Sequence, residues 1–272
     1  MSLRDTALRW LQLARPAVVV EVTAAQGSVP REAGTRMLVN AAEVIGTIGG
    51  GHLELRAIAD ARQMLARGAT QAVEQHVALG PALGQCCGGA VALRLSPLHL
   101  ADAQAWPEPP PRFTLQLYGA GHVGRAIIHL LASIPCQVQW IDEREEEFPE
   151  HPLPPHIEQL CVEPVQSEVS AATPGAFYLV LTHSHDLDLA ITEAVLKRAD
   201  FGFLGLIGSK TKRGRFVHRF EARGIAPALI DRMVCPIGLP GIEGKEPEII
   251  AVAVVAQLLA LSPAHARLPS SV

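Results

Sequence analysis

The sequence predicts an α/β protein in two parts, an N-terminal α+β domain and a doubly wound parallel-sheet domain. Three observations carry this. The second half alternates short apolar runs with helical patterns, the mark of consecutive βαβ units. The first half mixes strand and helix patterns without that alternation. Between them, Trp106-Pro-Glu-Pro-Pro-Pro111 is a stiff proline segment suited to a linker. The expected layout is an α+β domain over 1–100, a linker over 101–112, the parallel-sheet domain over 113–265 and a tail over 266–272.

Taken in order, Leu3 to Ala14 places apolar residues at near-helical spacing, and Pro16 closes that helix. Ala17 to Val22 is β-branched and reads as a strand. A turn-rich loop over Gln26–Thr35 carries Arg31 and leads to Arg36. Two short strands follow at 37–39 and 44–47, then a long helix after Gly49-Gly50-Gly51, a strand over 71–79 and another over 90–95. In the second half, strands are expected at 113–118, 137–141, 158–162, 177–182, 202–207 and 232–235. Helices are expected at 122–133, 187–198, 211–223 and 248–261. The prolines of 149–155 replace or shorten one crossover helix.

Composition bounds the function. The chain has 272 residues, 49% hydrophobic and 18% charged, which describes a folded chain long enough for two cores. A net charge of −4 without a Lys/Arg stripe gives no electrostatic reason to expect nucleic acid. The longest apolar run, 249–261, is too short for a membrane span and reads as a buried helix. Five cysteines without a C-x-x-C or a disulfide framework, and no signal-peptide layout, place the expected location in the reducing cytoplasm.

The sharpest motif is Tyr118-Gly-Ala-Gly-His-Val-Gly124, after a strand pattern and before a helical one. Gly119 makes the tight turn, Gly121 lets a phosphate approach the backbone, and Gly124 lets helix and strand pack closely. Asp142 ends the next strand about twenty residues on, the place of a ribose partner or simply of a strand end. This makes the domain Rossmann-like.

Other stretches each carry two readings. Cys86-Cys87, between Gln85 and Gly88-Gly89, is either a thiolate pair for a soft metal or transferred sulfur, or two small apolar residues at a strand entrance. Gly49-Gly50-Gly51 is an anion-binding turn or a plain strand-to-helix turn, with Arg31 and Arg36 favouring an anion. His183, His185 and Asp186 follow a strand end. They bind a metal or form a polar ligand rim, or Asp186 or Ser184 caps the next helix. The binuclear hydrolase pattern fails there because Leu187 stands where an aspartate belongs. Ser209 caps the next helix, and Lys210, Lys212 and Arg213 meet a phosphate or form a solvated basic face. Lys245 contacts a ligand or sits in a capping loop, and the acidic run Glu143 to Glu147 reads as solvated.

Together, Gly27–Arg36, Gly46–Glu54, Gly84–Gly89, Tyr118–Gly124, Trp140–Arg144, Leu181–Asp188, Leu204–Arg213 and Cys235–Pro247 closely resemble the xanthine dehydrogenase accessory protein family (XdhC/CoxI) over nearly the whole chain. The resemblance implies a cytoplasmic, non-enzymatic chaperone that binds the molybdenum cofactor (molybdopterin) and hands it to xanthine dehydrogenase. It also implies work with a cysteine desulfurase that installs the terminal sulfido ligand, and a homodimer. On this reading the cofactor-facing set is Gly49, Gly50, Gly51, Cys86, Cys87, Gly119, Gly121, His122, Gly124, Asp142, His183, His185, Asp186, Ser209, Lys210 and Lys245, with Cys86 or Cys87 meeting molybdenum or taking part in sulfur exchange. Two alternatives stand beside it: an NAD(P)-dependent oxidoreductase using the glycine motif and Asp142, and a metal-dependent hydrolase using His183 and His185.

Overall fold

The computed structural model describes residues 2–79, 89–108 and 110–262. They form two compact units, one over residues 2–108 and one over residues 110–262.

In the first unit, α1 (Leu3–Gln12) is started by a capping box in which Ser2 and Asp5 satisfy each other's backbone N–H. The strands β1 (Val18–Gln26), β2 (Arg36–Val39), β3 (Val44–Gly46), β4 (Val73–Ala78) and β5 (Ala90–Pro97) form an antiparallel sheet of order β3-β2-β1-β5-β4. The helix α2 (Gly51–Ala66) crosses between β3 and β4. The β1 side chains alternate between two cores. Val18, Val20 and Val22 join Leu53, Ala57 and Ala61 of α2, whereas Val19 joins Ala7 and Trp10 of α1. Trp106, expected in the linker, is buried in the α1-side core, with Arg36 stacked over its ring. Its indole is too large an apolar surface to leave in a spacer.

The second unit holds β6 (Thr114–Tyr118), α3 (His122–Leu131), β7 (Gln137–Asp142), β8 (Ile157–Cys161), β9 (Phe177–Val180) and α4 (His185–Arg198). It continues with β10 (Phe203–Leu206), α5 (Lys210–Ala222), the single turn α6 (Pro227–Ile230), β11 (Met233–Val234) and α7 (Pro247–Leu261). All strand pairs are parallel, in the order β11-β10-β9-β6-β7-β8. Counted from β6 this is 3-2-1-4-5-6, the order of dinucleotide-binding sheets, with its switch point between β6 and β9. Residues of α4 and α5 pack on one face, and residues of α3 and α7 on the other. The proline-dense crossover from β7 to β8 carries only the 3-10 turn Glu145–Glu147. α7 departs from a buried helix: Ala251, Val254, Val255 and Leu258 face the core, but Ile249, Val252 and Leu261 are exposed. No described helix is long and apolar enough to cross a membrane.

Candidate functional site

The three motif glycines divide their work as their surroundings require. Gly119 has φ +120°, and a Cβ there would collide with the carbonyl of Leu181 at the end of β9. A Cβ on Gly124 would collide with the carbonyl of Gly119, so helix and loop touch backbone to backbone. Gly121, the N-cap of α3, has ordinary φ −70°, and a Cβ there meets nothing within 4 Å. As the N-cap it directly precedes the first turn of α3, whose N–H groups have no partner within the helix. His122, the first residue of α3, instead lines a groove between α3 and α7 with Arg125, His129 and Val252.

Asp142 does not present the free carboxylate expected of a ribose partner. It is buried, and its Oδ2 accepts the Ala120 N–H at 2.7 Å. Arg144 takes both oxygens, donating from Nε to Oδ1 at 3.0 Å and from a terminal nitrogen to Oδ2 at 2.9 Å. Burial disfavours the charge, but the donors from Arg144 and Ala120 outweigh it and hold the carboxyl below its usual range. Asp142 thus braces the glycine loop from within. The acidic run after it is not merely solvated: Glu147 pairs with Arg125 and Arg144. Glu143 reaches His183 Nε2 at 3.5 Å, joining the ends of β7 and β9.

A cleft of about 810 Å3 opens beside the switch point, between the start of α4 and α5. It gathers His183, His185, Asp186 and Ser209. Ser184 and Ser209 cap the two helices, accepting the N–H of Leu187 and Lys212. The cleft floor is a pair that pattern reading did not join. Asp188, 1% exposed, accepts the N–H and hydroxyl of Thr182 and meets Lys212 Nζ at 2.5 Å. Lys212 also donates to the Ile207 carbonyl at 2.8 Å. Lys212, grouped with Lys210 as a phosphate contact, is therefore turned inward, because its flexible stem reaches a buried carboxylate. The signal that could have found it was Asp188 itself, a charge on the inward stripe of a helix. Lys210 is exposed and does not line the cleft, nor does Lys245, whose N–H is taken by Glu246.

In the first unit the glycine triplet carries its own anion. Glu54, in the first turn of α2, accepts the hydroxyl of Thr47 at 2.5 Å and the N–H of Ile48 and Gly50 at 2.9 and 3.0 Å. The anion expected at Gly49, Gly50 and Gly51 is thus supplied from within the helix. Arg36 is likewise engaged, with Glu21 at 2.5 Å. One end of this sheet draws several sequence motifs together. A Cβ on Gly49 would strike Pro30, and one on Gly89 would strike the carbonyls of Gln26 and Ser28. The Leu79 N–H meets the Gly89 carbonyl at 2.8 Å. Cys86 and Cys87 themselves lie outside the described residues.

The described thiols are poor soft donors. Burial pushes Cys136 up to about 12 and raises Cys235 against the pull of Lys212 and Arg213. Desolvation and then the charges of Glu145, Asp142 and Glu146 raise Cys161. Among the described residues no group of three His, Cys, Asp or Glu side chains is placed to hold a metal ion, so the geometry gives the hydrolase alternative no ligand set.

Two family models match this chain: the XdhC Rossmann domain over residues 115–258, and the XdhC and CoxI family over residues 10–76. The chain belongs to the XdhC and CoxI family. The Escherichia coli (strain K12) protein YqeB is 30% identical over 252 residues, which is 90% of this chain and 43% of YqeB. The chain thus spans less than half the length of that relative. A crystal structure from Bacillus halodurans, named a xanthine dehydrogenase, matches with a TM-score of 0.73 at 19% identity, covering 100% of this chain and 98% of that one. That likeness concerns the fold. Within this XdhC/CoxI chain, the stretch matched as the Rossmann domain takes in the parallel sheet described above except Thr114, the first residue of β6.

Proposed function

We propose that this XdhC/CoxI-family chain is an accessory protein of xanthine dehydrogenase maturation that binds the molybdenum cofactor as cargo. The observation that supports it best is the open space at Gly121, beside Gly119 and Gly124 whose own Cβ positions are filled by backbone. Space and unpaired helical N–H groups at a switch point suit the cofactor's phosphate. The residues on the phosphate would be Gly119, Gly121 and the first amides of α3. The dithiolene-bound molybdenum is a soft centre suited to thiolates, and Cys86 and Cys87 stand side by side in a glycine-flanked stretch of the sequence. Cys86 and Cys87 are therefore the proposed donors or sulfur carriers. Delivery to the enzyme, cooperation with a cysteine desulfurase, homodimer assembly and a cytoplasmic location belong to the same reading. The cargo brings the redox chemistry, and this chain's part is to hold and release it.

Two experiments test the reading. Replacing Cys86 and Cys87 by alanine is expected to abolish retention of molybdenum and pterin on purification, or to abolish activation of the recipient enzyme. Unchanged retention together with unchanged activation would remove the thiols from the proposal. Gly121→Asp is expected to leave thermal unfolding nearly unchanged, because the side chain enters open space. It should nevertheless weaken cofactor binding by at least about tenfold, through carboxylate–phosphate repulsion. Wild-type affinity in that variant would place the phosphate elsewhere.

A further inference from the structure

The phosphate and thiol contacts proposed above do not use the cleft between α4 and α5, although the family resemblance counts its His183, His185, Asp186 and Ser209 among the cofactor-facing residues. Its charges do not cancel. Of its carboxylates, Asp188 is held by Lys212, and Asp186 is almost fully exposed, meeting Arg219 only at 3.9 Å. Arg215 has no carboxylate partner within 4.0 Å among the described residues. His185 and His218 line the same cleft, and Ile207 and the buried Phe216 add apolar lining. Residues four apart on one helix share a face, and each guanidinium carries the forked donors that suit phosphate oxygens. The volume, about 810 Å3, far exceeds what a lone phosphate needs and lies within the range of sites for small organic ligands.

We infer that this cleft binds a phosphate ester of nucleotide size, with Arg215 and Arg219 on the phosphate and the ring system against Ile207 and Phe216. The inference goes beyond the cofactor reading and stands apart from the glycine loop.

The test is calorimetric titration of the full chain with ADP, CDP, GDP and inorganic phosphate. The wild type is compared with the Arg215→Gln/Arg219→Gln double variant and with Gly121→Asp. Both arginines are exposed, so the double variant is expected to fold normally, checked by its thermal unfolding. At least one nucleoside diphosphate should bind the wild type more tightly than inorganic phosphate does. That binding should weaken more than about tenfold in the double variant, weaken with added salt, and persist in Gly121→Asp. Failure of all three nucleotides to bind, equal affinity in the double variant, or loss confined to Gly121→Asp would overturn it. Inorganic phosphate binding as tightly as any nucleotide would also overturn the nucleotide assignment. Retention of molybdenum and pterin is read separately on the cysteine variant, so either idea can fail without the other.

Discussion

Glu54 shows how one residue can change the meaning of a motif. Three glycines before a helix suggest an external anion, yet the carboxylate one turn into α2 folds back onto those amides. Burial opposes its ionisation, but the hydrogen bonds from Thr47, Gly50 and Ile48 prevail and lower its pKa. A carboxyl whose folded-state pKa is depressed adds stability above its unfolded value and loses it as pH falls through the folded value. Glu54→Gln is therefore expected to cost about 1–2 kcal/mol at neutral pH, the scale of a helix-start interaction. The gap to wild type should close as the pH drops below the ordinary carboxylate range. Urea unfolding at several pH values measures this, and a gap that stays constant with pH would deny the charge its role. Asp142 makes the same point from the other side of the chain: its position in sequence is that of a ligand contact, and its oxygens serve Ala120 and Arg144.

At the scale of elements, the Asp188–Lys212 pair ties α4 to α5 and to the ends of β9 and β10. Both side chains are largely withdrawn from water, at 2% and 11% exposure. Removing one partner leaves the other as an uncompensated buried charge, which costs about 3–5 kcal/mol. Asp188→Asn and Lys212→Met should each lose stability on that scale, and the double variant should lose clearly less than the two combined. Chemical denaturation in a double-mutant cycle gives the coupling directly. Strictly additive losses would mean that the two charges do not depend on each other. α7 marks a different limit of element-level reading. Its apolar residues run all the way round, which suggests full burial. In the structure it covers the α3 side of the sheet and leaves Ile249, Val252 and Leu261 exposed.

At the scale of the molecule, what was legible follows from locality. Strand and helix periodicity, the capping serines, the glycine spacing and the proline-dense crossover are written in neighbouring residues, and the parallel sheet they imply is the sheet observed. The packing roles of Gly119 and Gly124 were readable for the same reason, since both act on backbone within their own βα turn or on the adjoining strand end. The gathering of His183, His185, Asp186 and Ser209 into one cleft required the strand order, because β9 and β10 bring together residues more than twenty positions apart. The fates of Lys212, Arg36 and Trp106 also needed tertiary structure. A long side chain has many reachable partners, and only the packed chain selects the buried carboxylate, the paired glutamate or the apolar core. By itself, then, the sequence determined the elements, the Rossmann character of the second unit and the family, all consequences of short-range pattern. The tertiary structure alone decided which glycines have open space, which charges are already spoken for and where the cleft lies, because those depend on contacts between residues distant along the chain.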